Sequence, residues 1–136
     1  MIRHVRLAVL VSLGLTGAMP PLVPGAARAE EHAAPRPAYI ALGEFTINLP
    51  AKNEQMSYAV ISITIDAVPE AATDLRAVEP RLKELVMRRL MAMADRGVLQ
   101  PSHTDLAAIK QALISSLSEL QPNSVRDVLI VRLLYG

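Results

Sequence analysis

Three stretches of the chain carry side chains of reactive or metal-binding type. In PSHTD, Ser102, His103 and Asp105 are the residue types of a hydrolytic triad. Neighbours on a single helical turn do not converge as nucleophile, base and orienter, however. Ser102 as a helix N-cap with Asp105 three positions on explains them more simply. In VMRRLMAMAD, Met87, Met91 and Met93 offer thioethers that suit Cu(I). No His or Cys lies beside them, and methionine is a ready filler of core gaps, so core packing is the better reading. The carboxylate pairs are no more promising: Glu30 and Glu31 lie in polar sequence, and Glu79 and Glu84 among basic residues as ordinary helix charges. There is no glycine-rich phosphate loop and no metal-ligand spacing. The expectation is therefore no catalytic residue, no cofactor and no metal. What remains is a basic run, Arg81, Lys83, Arg88, Arg89 and Arg96. A solvated face is its default reading, and contact with an acidic partner or an anionic lipid surface is the functional one. Arg88 and Arg89 are the candidate partner-contact residues.

Composition narrows the classes further. The chain has 136 residues, no cysteine, and 14 Lys and Arg against 13 Asp and Glu. That length fits one domain with appendages. Balanced charge leaves no footprint for nucleic acid, whose binders concentrate cations to neutralise phosphates. Without cysteine there is no disulfide, thiolate chemistry or Cys-ligated metal, so packing must supply the stability. The N-terminus has the layout of an export signal: Arg3 and Arg6, then the apolar LAVLVSLGLTGAM, then PPLVPGAARA with small residues at Ala27 and Ala29. Cleavage after Ala29 is the preferred reading. A retained membrane anchor is the alternative, although Pro20, Pro21 and Pro24 interrupt the segment short of the roughly 20 apolar residues a span needs. Either way the remainder faces the periplasm or exterior. Losing Arg3, Arg6 and Arg28 leaves 11 basic against 13 acidic side chains, so the basic isoelectric point belongs to the leader.

The elements that must position any site lie beyond a short tether, residues 30–38. In YIALGEFTINLP, Phe45, Ile47 and Leu49 alternate with Thr46 and Asn48, the period of a half-buried strand, and Gly43 marks a bulge or bend. After the turn-forming AKNEQ, SYAVISITIDA alternates again, giving a hairpin. Two strands alone are marginal in water, so their apolar face needs a cover. From Glu70 to Arg96, Leu75, Val78, Leu82, Leu85, Val86, Leu90 and Met93 recur at helical spacing. Pro80 predicts a short lead-in over 70–78 and a main helix starting at Pro80, ended by Gly97. A second helix follows from Ser102 through Leu106, Ile109, Leu113 and Leu117, and Pro122 and Asn123 break it. VRDVLIVRLLY, residues 125–135, is apolar enough for a strand inside the sheet. The predicted fold is a two-layer α+β domain of order β-β-α-α-β over 39–136, with two helices on one face of a small three-stranded sheet. Tyr58, Ser62, Thr64, Asp66, Arg126 and Arg132 are candidates for the other face, which stays wet or meets a partner.

In order and spacing these stretches resemble the periplasmic domain of the FliL family, the flagellar basal-body-associated proteins. Phe45, Ile47, Asn48 and Leu49 take the places of that family's Phe-x-Val-Asn-Leu opening strand. EPRLKELVMRRLM is similar to its following helix, and Val125, Asp127, Val128 and Leu129 to its closing V-x-D-V-L strand. The resemblance implies a stomatin-like fold, self-association into oligomers, and a non-enzymatic role in motility and chemotaxis beside the MotA and MotB stator and basal body, at the inner membrane or periplasm. Family members usually keep a transmembrane helix where this chain has its cleavable-looking leader. Against this stands a periplasmic small-ligand or metal-binding module unrelated to flagella, for which the sequence offers no convergent polar groups around an apolar pocket.

Overall fold

The computed structural model describes residues 36–136, so the leader and most of the tether lie outside the described residues. β1 (Ala38–Lys52) and β2 (Gln55–Ala67) form the expected hairpin. Asn53 and Glu54 join them at φ 55° and 64°, between strand ends that pair Lys52 with Gln55. Two left-handed residues in a two-residue loop give the turn whose twist matches that of the flanking strands.

Gly43 does what its position promised. Upstream of it Ile40 and Leu42 are buried, whereas downstream Phe45, Ile47 and Leu49 are, so the buried set passes from even to odd positions. Register skips from Ala41 opposite Thr64 to Gly43 opposite Ile63, and Gly43 sits at φ +97°. A side chain there would meet nothing within 4 Å, so the glycine serves the backbone conformation and not a close approach. The bulge keeps both halves of a 15-residue strand facing one core.

β3 (Val125–Tyr135) pairs antiparallel with β2, and the sheet order is β1-β2-β3. This corrects the expectation that residues 125–135 lie inside the sheet: β2 is central and β3 is an edge. Its run of apolar residues serves two faces. Val128 is buried and Ile130, Leu133 and Tyr135 pack against the core, while Leu129 and Leu134 pair with Thr64 and Val60 on the opposite face.

A 3-10 turn, Pro69–Ala71, leads into α1 (Ala72–Ala77) and α2 (Glu79–Asp95). The interruption falls where Pro80 predicted it, because a proline is tolerated only in the first turn of α2. The far end closes on Gly97 at φ +73°, with Gly97 N–H donating to Ala94 O and Val98 N–H to Met93 O, both at 2.9 Å. These two bonds satisfy carbonyls the helix end leaves open.

α3 (Leu106–Leu120) begins three residues later than Ser102 would place it. The cap is Asp105, whose carboxylate accepts from Ala108 N–H at 3.0 Å. Ser102 instead lies in the turn before it, since an extended Asp105 is the residue positioned to meet that open donor. α2 packs over β1 and α3 over β3, side by side on one face. Ile47, Ile61, Ile63 and Ile65 of the sheet meet Leu82, Val86, Leu90, Leu113 and Leu117 of the helices, all essentially inaccessible to solvent. Each such side chain contributes about 1.5–3 kcal/mol through burial. The expected α+β arrangement, two main helices covering one face of a three-stranded sheet, is the one observed.

Candidate interaction surfaces

The residues with chemical potential are not brought together. Ser102 and His103 are exposed on the turn before α3, and the Asp105 carboxylate is engaged in capping. Of the methionines, Met93 is buried and Met87 packs against the core, but Met91 is 53% exposed. The packing reading holds for Met87 and needs correcting for Met91, which lies off the stripe set by Leu82, Val86, Leu90 and Met93. Among the described residues no group of three or more His, Asp or Glu is placed to hold a metal.

The densest polar cluster lies at one end of the sheet. Asp66 and Asp127 stand directly opposite in β2 and β3. Like charges so placed repel. Lys110 of α3 relieves this by donating to Asp127 Oδ2 at 3.0 Å, and Arg126 approaches Asp66 Oδ2 at 3.9 Å. The Lys110 hydrogen bond, with a second from Val128 N–H, holds the Asp127 carboxyl below the usual aspartate value. The cluster is an ion-pair network across an edge of the domain in which Asp66 Oδ1 stays buried without a hydrogen-bond partner among the described residues.

Among the described residues, no element covers the face of the sheet away from the helices. Tyr58, Ser62, Thr64, Asp66 and Arg132 project there as expected. Across its middle, Glu44, Ser62 and Arg132 form a polar row over all three strands, with Ser62 Oγ donating to Glu44 Oε2 at 3.4 Å and Arg132 Nη1 at 3.6 Å from the same oxygen. Around that row, beside the expected Tyr58, lie exposed apolar side chains that alternation alone did not assign: Tyr39, Met56, Val131 and Leu134. Val131 is the extra residue of a second bulge, where pairing steps from Ser62 with Arg132 to Ile63 with Ile130.

Arg88 and Arg89 occupy a different surface, a groove where α2 runs beside α3. It consists of two adjoining hollows that share Leu85 and Arg88: Arg89, Ala92 and Ser116 complete the lining of one, and Arg81, Glu84 and Leu120 that of the other. Arg88 Nη2 pairs with Glu84 four residues back, both side chains largely exposed. Arg89 is half-buried, and its Nε is shut off from solvent with no hydrogen-bond partner among the described residues. The basic run is therefore not one patch: Lys83 turns away to pair with Glu79 at 2.7 Å, while Arg81 joins the groove. The signal for this was available in sequence as the spacing of Arg81, Leu85, Arg88, Arg89 and Ala92, which places all five on one helical stripe.

With the architecture in place, comparison with known families is decisive. The model of flagellar basal body-associated protein FliL matches residues 39–135. The chain belongs to the FliL family. The match runs from the second residue of β1 to the last of β3, so the whole two-layer FliL domain is covered, bulges and helix break included. As a FliL-family member it is a flagellar basal-body-associated protein. Comparison with curated proteins finds none that matches the chain. No helix among the described residues is long and apolar enough to cross a membrane.

Proposed function

We propose that this FliL-family protein is an exported, non-catalytic accessory of the flagellar motor, acting on the stator and basal body by protein contact and supporting motility and chemotaxis. The observation that carries the reading is a family match over the whole domain combined with a sheet whose outer face exposes Tyr39, Tyr58, Val131 and Leu134. Scattered apolar residues are common on protein surfaces, but a group of them on one uncovered sheet face marks a contact surface. Both β1 and β3 are edge strands, which supply backbone donors and acceptors for pairing with another chain. Self-association into a homo-oligomer through these edges and that face belongs to the same reading, as does a periplasmic position against the inner membrane.

The test is deletion of the gene from the bacterium that encodes it, with swimming, swarming and filament number scored. Complementation uses forms with the native leader and with a non-cleavable one. Normal filaments with reduced swimming or torque support the contact role, and the two leaders show whether anchoring matters. Unchanged motility and filament number under both conditions overturn it.

A further inference from the structure

We propose that the groove between α2 and α3 is a docking site for an amphipathic helical segment of a partner protein that bears carboxylates along one stripe. The groove follows α2 from Arg81 to Ala92. The eleven residue-to-residue steps between them rise about 16 Å, the length of three turns of a ligand helix. Its apolar floor is Leu85, Ala92 and Leu120, while Arg81, Arg88 and Arg89 supply the cations. Among the described residues Glu84 is the carboxylate that lines the groove and it answers Arg88, so no described carboxylate pairs with Arg81 or Arg89. Arg89 Nε is shut off from solvent, so a ligand carboxylate would meet the accessible remainder of this half-buried guanidinium. Apolar contact at the bottom with charge complementarity at the rim is how helix-in-groove recognition works. Arginine's planar fork also suits bidentate carboxylate binding better than lysine's point charge. A lipid surface fits less well: it is flat, and it would meet Glu84 together with the arginines, with Met91 as the exposed large apolar side chain of α2 beside them. The inference is independent of the flagellar assignment, because it concerns what the groove binds and not which assembly supplies it.

The experiment uses the full chain and a synthetic fluorescent peptide of about 14 residues, with Glu at helical i, i+4 and i+7 positions beside a Leu stripe. Controls are the same peptide with Gln for Glu, and vesicles of phosphatidylglycerol or of phosphatidylcholine. Binding of the Glu peptide that weakens with added salt is expected, falling roughly tenfold or more in the Arg81→Gln/Arg89→Gln double variant. The Gln peptide and both vesicle types are expected to bind far less. A second variant, Arg81→Glu/Arg89→Glu, is expected to prefer the peptide with Lys in place of Glu, which separates lost recognition from lost folding. Binding of the Glu peptide that is indifferent to all these substitutions overturns the proposal. So does arginine-dependent binding of phosphatidylglycerol vesicles in preference to the peptide, which would make the groove a lipid-headgroup site. Normal motility in a deletion strain alongside specific peptide binding would remove the flagellar role and leave the groove standing.

Discussion

Replacing Gly43 with alanine isolates one physical requirement. At φ +97° nothing lies within 4 Å of where the new methyl would stand, so crowding contributes nothing and the whole cost is backbone strain. A non-glycine residue in the left-handed region costs roughly 1–2 kcal/mol. For a domain of about 100 residues each kcal/mol corresponds to about 4–8 °C in melting temperature, so Gly43→Ala lowers Tm by roughly 5–15 °C. Gly43→Val lowers it further, because a β-branched side chain is a worse occupant of positive φ. The strand has one way to escape: straightening the bulge. That would carry either Ile40 and Leu42 or Phe45, Ile47 and Leu49 to the outer face, since the two sets differ in parity. Thermal unfolding followed by circular dichroism measures the effect, with amide exchange along β1 reporting any register change. A Gly43→Ala protein that melts within about 2 °C of the parent, with unchanged exchange, would refute the claim that the positive φ is why glycine stands there.

Asp105→Ala removes the α3 cap and lowers stability by about 0.5–2 kcal/mol, whereas Ser102→Ala is nearly neutral; reversal of that order in denaturant melts would restore Ser102 as the cap. Leu117→Ala, at a fully buried position on α3, costs about 2–5 kcal/mol in the same assay, and a loss below 1 kcal/mol would mean the helix layer is loosely packed. Asp127→Asn tests the end-of-sheet network. Because its carboxyl is held below the ordinary value of 3.8, its contribution is fully present above that value and is lost as pH falls through it towards the folded value. With both partners more than a third exposed, the contribution is roughly 0.2–1 kcal/mol at neutral pH, and the gap between variant and parent closes in acid; a gap that widens in acid would contradict the assignment.

Most of the layer structure was legible because its signals are local. Alternation in SYAVISITIDA, the proline inside a helical pattern at Pro80 and the glycine beyond its end each act over a few residues, and the structure keeps all three. The cap of α3 was misplaced because Ser102 and Asp105 are both good cap residues three positions apart, and only backbone geometry separates them. Met91 was misplaced for a related reason. A step of four residues turns about 40° round the helix, enough to carry Met91 clear of the core boundary that Met87 still touches.

The error about β3 bears on function. Sequence pattern places a continuous apolar run in the middle of a sheet because burial on both sides is the usual reason for it. Here β2, with a strict alternation, is in the middle, and the strand with the continuous run is at the edge. Its inner set is accounted for by Val128, Ile130 and Leu133 against the core. Its outer set, including Val131 at 67% exposure and Leu134 at 45%, has no layer over it among the described residues. The excess apolarity that misled the topology is therefore the same feature that supports a contact role: exposed apolar residues lie on a face that no described element covers, on a strand at the edge of the described sheet, where another chain can bury them.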